Sequence, residues 1–199
     1  MKKFLIGMLA AATIFFQTPV TFAYREVQIP EEVYKWIQST PRGNYWFNFQ
    51  VMSYKIRSDD TLDLNILEVP TICTYDNIQI DDVVQKRRWR GQSTRGYNNL
   101  IGRADYLEFN LSKETVRIVR RADLDHTFTE LDSEDTSDEI TLAELSDQEI
   151  AAKNYRKILK WARENNTWII ERSRGKLSKK DSKLKESDMP LFKLKWEVK

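Results

Sequence analysis

Apolar and polar residues alternate through the middle of the chain. Between 44 and 56, Tyr45, Phe47, Phe49 and Val51 alternate with Trp46, Asn48, Gln50 and Met52, a period of two that predicts a half-buried strand. A polar turn at Arg57-Ser58-Asp59-Asp60 leads to a second run, 61–69, in which Leu62, Leu64 and Ile66 alternate with Asp63 and Asn65. Two alternating runs across a short polar turn predict a hairpin. Another hairpin is predicted from 104–111 and 115–121, joined by Ser112-Lys113-Glu114, and a short strand over 126–131 extends it into an antiparallel meander. At the C-terminus Phe192, Leu194, Trp196 and Val198 alternate with Lys193, Lys195 and Glu197. This pattern predicts a last strand that pairs with the sheet or offers an edge to another chain.

The helical period appears twice. Pro30 followed by Glu31 and Glu32 fits a helix start, and Val33, Trp36 and Ile37 share a face before Ser39-Thr40-Pro41-Arg42-Gly43 stops it, so a short N-terminal helix is expected. Ser146-Asp147-Gln148-Glu149 reads as a capping box opening an amphipathic helix, with Ala151, Tyr155, Ile158, Leu159 and Ala162 as its apolar stripe. Asn165-Asn166 closes it, and Thr167–Arg172 then reads as β-like. Residues 77–99 fit either a strand running on to Trp89 or a helix beginning near Asp81-Asp82. Together these elements give an α+β fold, an antiparallel β-sheet of hairpins with a short N-terminal helix and one amphipathic C-terminal helix packed on it.

The first residues add an address. Met1-Lys2-Lys3 precedes thirteen uncharged residues, Phe4 to Phe16, and Thr21 and Ala23 suit a signal-peptidase cut before Tyr24. Residues 1–23 therefore read as a signal peptide of bacterial style, with a retained membrane anchor as the alternative. The run is shorter than the roughly 20 residues a spanning helix needs. The expectation is a single domain over 24–199, exported to the periplasm or the extracellular space.

Removing residues 1–23 also changes the charge. The full chain carries 32 basic and 30 acidic side chains, and the two surplus cations, Lys2 and Lys3, leave with the leader. The remaining charges fall into blocks: 15 basic and 16 acidic over 24–130, none and 8 over 131–150, 15 and 6 over 151–199. A neutral total thus hides an acidic loop at 132–145 and a basic C-terminal third, which includes a charged linker at 173–188. This balance disfavours a nucleic-acid partner. Its single Cys and single His exclude a disulfide framework within the chain and a Cys/His zinc cluster, and Cys73, in a β-branched stretch, reads as a buried small hydrophobe, with pairing to another chain as the alternative.

Three clusters could carry chemistry. Lys86-Arg87-Arg88-Trp89-Arg90 sets cations around an indole, so Arg87, Arg88, Trp89 and Arg90 are candidate contacts for an anionic ligand. The alternative is a solvated face neutralised by the acidic loop. Asp123-Leu124-Asp125-His126 joins two carboxylates and an imidazole, but its spacing fits neither a calcium loop nor a zinc helix, and a polar turn is the simpler account. Among the aromatics Trp36, Tyr45, Trp46, Phe47 and Phe49, Trp46 is the candidate binding residue because it points away from Tyr45 and Phe47. The glycines match no phosphate-binding pattern. No catalytic residue, metal site or cofactor is expected.

Tyr45-Trp46-Phe47-Asn48 with the strand Leu62–Leu67, and Asp105-Tyr106-Leu107-Glu108-Phe109 with Thr115-Val116-Arg117-Ile118, resemble the two hairpins of bacterial surface-adhesin E-like domains. The resemblance is one of pattern, not of strict motif. It implies a small secreted α+β domain, in some members tied to surface binding. The expected function is a non-enzymatic binding or interaction module at the cell envelope or outside the cell. Its partner would be an envelope or extracellular protein, or an anionic polymer. The alternatives are an anion-binding protein for cell-wall polymer, lipid head group or nucleic acid, and a hydrolase.

Overall fold

The computed structural model describes residues 27–196; the expected signal peptide lies outside them. The fold is an antiparallel sheet built from β1 (Tyr34–Thr40), β2 (Gly43–Asn48), β3 (Ser53–Ile56), β4 (Leu62–Tyr75), β5 (Leu100–Asn110), β6 (Thr115–Asp125), β7 (Glu130–Asp135) and β8 (Glu139–Thr141). Among the described residues four α-helices accompany it: α1 (Asn77–Trp89), α2 (Ile150–Glu164), α3 (Asn166–Arg172) and the single turn α4 (Pro190–Lys193). The strands lie in the order β1-β2-β4-β5-β6-β7, with β3 prolonging the row of β2 against β4, and β8 the row of β7 against β6. The expected α+β class, the antiparallel sheet and the amphipathic C-terminal helix are all present.

The long strand β4 organises the sheet, and Pro70 sits in its middle. Proline lacks the N–H that a ladder needs. The Leu111 N–H donates to Asn65 O at 2.7 Å, so with the register Leu67↔Phe109 and Val69↔Leu107 the odd-numbered β4 residues bond to β5 and the even-numbered ones face the other side. On that other side β2 ends its pairing at Phe47↔Thr71 and β3 begins at Ser53↔Glu68. Pro70 therefore faces the break between β2 and β3, where no bond is lost. The break is fixed locally, because Asn48 Oδ1 accepts the N–H groups of Gln50 and Val51 at 3.1 and 3.3 Å. The alternating run 44–56 is thus two strands rather than one.

Strand parity then separates two faces. Phe47, Leu67, Val69, Leu107, Phe109, Val116 and Ile118 join Tyr155, Ile158, Leu159, Ile169 and Leu191 in the main core under α2, α3 and α4. The opposite face carries only a small cluster, Ile72, Ile101, Ala104 and Leu124, with Val27, Tyr34, Tyr106 and Phe128 against it. Gly102 permits the close packing of β5 on β4, since a Cβ there would stand 2.1 Å from Cys73 O.

Several expected elements differ. The segment after Pro30 makes one turn, with the Val33 and Tyr34 N–H groups donating to Pro30 O, and then becomes β1 instead of a helix. A lone helix of two turns is marginal, whereas Tyr34–Thr40 gains an antiparallel ladder, with one bulge at Trp36/Gln38, against Gly43–Asn48 across a two-residue turn. Thr167–Arg172 is helical, not β-like: the chain restarts at Asn165, whose carbonyl accepts from Ile169 at 3.0 Å, and burial of Ile169 outweighs its β preference. The predicted last strand is α4 followed by an irregular strap, and its final residues lie outside those described. Both ends of that strap are held by side chains: Arg163 donates to Leu191 O and Leu194 O, and the Glu114 carboxylate accepts the N–H groups of Lys195 and Trp196 at 2.7 and 3.1 Å. The third strand of the meander lies at 130–135 rather than 126–131, so part of the acidic loop is β7 and β8. Helix α2 opens one turn later than predicted, with Glu149 as its cap residue and its carboxylate returning to the Ser146 N–H at 2.8 Å. Ala152 is buried in the core, and Ala151 packs partly buried against it.

Ser173 closes the main core. Its Oγ accepts the Tyr54 N–H at 3.1 Å and donates to Ile169 O at 2.8 Å, while Tyr54 Oη donates to Asn166 Oδ1 at 2.7 Å. Replacing Ser173 with Ala orphans the buried Tyr54 N–H. The expected cost is about 1–3 kcal/mol, read as a lower denaturation midpoint in urea with an unchanged slope; a midpoint equal to wild type would contradict it.

Candidate functional site

The thinly covered face of the sheet holds a recess of about 1300 Å³. Trp36 and Trp46 are direct partners across the β1–β2 pair, so both indoles stand side by side on one wall. Trp46 pairs in turn with Ile72, a member of the minor cluster. Tyr45, Phe47 and Phe49 belong to the other side: Phe47 and Phe49 pack on Trp161 with ring centroids 5.5 and 5.6 Å apart. The aromatic set is therefore divided by strand parity, and Trp46 lies on the face opposite Phe47 as expected.

Helix α1 forms the facing wall. Asp76 caps it by accepting the Gln79 N–H at 2.7 Å, which starts the helix earlier than Asp81-Asp82. Asn77, Ile80, Asp81, Val84 and Arg88 follow at spacings of three and four and line the recess. Gly96, at φ +85, begins the tight turn Tyr97–Asn99 that brings Asn98 and Asn99 to the same space. Glu31 from the N-terminal segment and His126 from the β6–β7 turn complete the rim.

The recess has unspent polar groups. Among the described residues, Asn77, Asp81, Arg88, Asn98, Asn99 and His126 make no side-chain hydrogen bond or ion pair, and Trp46 Nε1 is shielded from solvent without an acceptor. A buried donor left unmatched costs free energy, so this indole is placed against the interest of stability.

The neighbouring cation behaves differently. Arg87 lies over the Tyr97 ring at 4.3 Å, donates to Ser93 O at 3.0 Å, and pairs with Asp132 at 2.8 Å and Asp123 at 3.8 Å. Tyr97 Oη donates to Asp123 Oδ2 at 2.7 Å. Burial holds the Asp123 carboxyl above its usual value in spite of the Tyr97 hydrogen bond and the nearby guanidinium groups, and burial likewise raises the Tyr97 hydroxyl. Arg87 thus ties α1, the 93–99 loop and β7 together. Of the proposed anion contacts, only Arg88 meets Trp46. Trp89 is 83% exposed, and Arg90 borders a separate recess of about 270 Å³ on the other side of α1, beside Arg103, Arg121 and Asp123.

The Asp123–His126 cluster does not converge. Asp125 accepts the Thr127 and Thr129 N–H groups at 2.8 and 2.9 Å as the anchor of a turn, Asp123 points to Tyr97, and His126 lines the large recess. No group of three or more His, Cys, Asp or Glu side chains is placed to hold a metal among the described residues. Cys73 is buried, and desolvation pushes its thiol up to about 11. No described helix is long and apolar enough to cross a membrane.

Of the residues around the recess, Trp46 and Arg88 were candidates from the sequence, whereas Asn77, Asp81, Asn98, Asn99 and His126 were not named as their neighbours. A signal for the first two was present in the spacing of Asn77, Asp81 and Arg88, read as a helix. No protein-family model, curated protein or solved structure matches this chain.

The two adjacent arginines are expected to differ sharply on substitution. Arg87→Ala removes the cation beside Asp123 and Asp132 together with the Ser93 and Tyr97 contacts and should lower stability by about 2 kcal/mol, whereas Arg88→Ala should change it by less than about 0.5 kcal/mol. Equal unfolding midpoints for the two variants would refute this assignment.

Proposed function

We propose that this protein is an exported binding module, without catalytic activity, whose ligand enters the recess between the Trp36–Trp46 wall and helix α1. The observation that carries the reading is the contrast in commitment: Arg87 is spent on internal partners, while the polar side chains around the recess are unspent and converge on one space with two indoles. Pockets of this kind, apolar walls with a few aimed polar groups, are the usual form of ligand sites. The leader pattern at 1–23 supports export, and the resemblance to surface-adhesin E-like hairpins accords with a role at the envelope.

A screen of peptides, small metabolites and glycans by thermal shift tests this. The ligands found should lose at least about tenfold in affinity on Trp36→Ala or Arg88→Ala, and the mature protein should begin at Tyr24 by N-terminal sequencing. Hits that bind both variants as well as wild type, or that are turned over in a manner dependent on Asp81 or His126, would overturn it.

A second reading, an anion-binding surface, is favoured by the exposure of Trp89 between Arg88 and Arg90 at the end of α1. Cations there also suit the negative end of the helix dipole. Retention on heparin that falls steeply with salt and is lost in the double variant Arg88→Ala/Arg90→Ala would support it; retention unchanged in that variant would sink it.

A further inference from the structure

We infer that the ligand of this recess is an uncharged oligosaccharide, an assignment that rests on the recess being the binding site. Three features of the walls point to it. First, Trp36 and Trp46 are direct cross-strand partners and both line the recess, with Lys157 Nζ 4.3 Å from the Trp36 ring centroid, so two neighbouring indoles offer aromatic surface along one wall. Such a surface suits the flat, weakly apolar C–H face of a pyranose ring, and its length suits more than one ring. Second, the opposite wall and floor are rich in free amides, Asn77, Asn98 and Asn99. A side-chain amide offers a donor and an acceptor side by side, the complement of adjacent hydroxyls, each of which both donates and accepts. Trp46 Nε1, buried without a partner, is one further donor for a hydroxyl or ring oxygen once the wall adjusts to a ligand.

Third, the charges disfavour the competing classes. Glu31 and Asp81 line the recess beside one guanidinium, Arg88, so a polyphosphate or sulfated chain meets carboxylates as it enters. The neighbouring Arg87 is paired with Asp132 and lies outside the recess. A volume of about 1300 Å³ exceeds what one small metabolite fills, since sites for such ligands run to about 1,000 Å³. A bound peptide in extended form would seek a strand edge for its backbone, and the recess presents side chains of a sheet face instead.

The test uses the mature chain on an array of neutral and acidic glycans together with heparin and a random peptide library, followed by titration of the hits through tryptophan fluorescence. Neutral glycans of two or more rings should bind, with an affinity that changes by less than about twofold between low and high salt. Asn98→Ala and Asn99→Ala, both at exposed positions, and Trp36→Ala should each weaken them by roughly tenfold while leaving the unfolding midpoint in place; Trp46→Phe, which keeps an aromatic face and removes only the N–H, should weaken them by a few-fold. Binding confined to acidic glycans or heparin, no glycan binding at all, or neutral-glycan binding indifferent to these substitutions would overturn the proposal. Recess-dependent binding of a peptide or metabolite alone would overturn it too, yet would leave the recess standing as the ligand site.

Discussion

The pairing of β4 with different partners along its two edges constrains everything else in this molecule. One edge runs unbroken against β5; the other is shared by β2 and β3, and the interval between them falls on the one residue that has no N–H to give. Because that interval is tied to Asn48, the register of β2 is set, and with it the parity that sends Phe47 into the helical layer and Trp46 away from it. A shift by one residue would exchange the two faces. Core and recess are two consequences of the same hydrogen-bond register.

Unequal coverage of the sheet follows from the order of the elements. All helices after β8 dock on one face, where aromatic contacts among Phe47, Phe49, Trp161 and Trp168 fill the layer. Among the described residues, the other face receives the N-terminal segment, the 93–99 loop, the β6–β7 turn and one side of α1. Helix α1 itself buries no residue; it is held at its ends, by Asp76 at the start and by Arg87 with Asp132 and Asp123 near the finish. A helix anchored this way works as a wall with a recess on each side rather than as part of a core.

The strands were legible from sequence wherever one side met the helices and the other met water or the recess, since burial then imposes a period of two. Helix α2 was legible for the same reason at period 3.6. What could not be read was decided by distant partners. Tyr34–Thr40 becomes a strand because Gly43–Asn48 is beside it, Thr167–Arg172 a helix because Ile169 must reach the core, and Leu191–Trp196 a strap because Arg163 and Glu114 take up its backbone groups. For the site, Trp46 followed from parity alone, and Arg88 was found only within an undivided cluster. A strand sets Arg87 apart from Arg88 by inversion and a helix by a turn of about 100°, and the helix over Asn77–Trp89 alone brings Asn77 and Asp81 to the same side as Arg88. The role of the acidic stretch was legible in outline: Asp132 and Asp138 pair with Arg87 and Arg121.

The Glu114 clamp has a consequence for how the chain completes itself. Glu114 sits at φ +56 in the β5–β6 turn and reaches residues some eighty positions further along, so its carboxylate can receive Lys195 and Trp196 only after that hairpin has formed. Contacts so distant in sequence form late, after the loop between them has closed. Since the strap supplies Leu191 and Trp196 to the core, the helical layer stays open on that side until the strap has docked on Glu114 and Arg163.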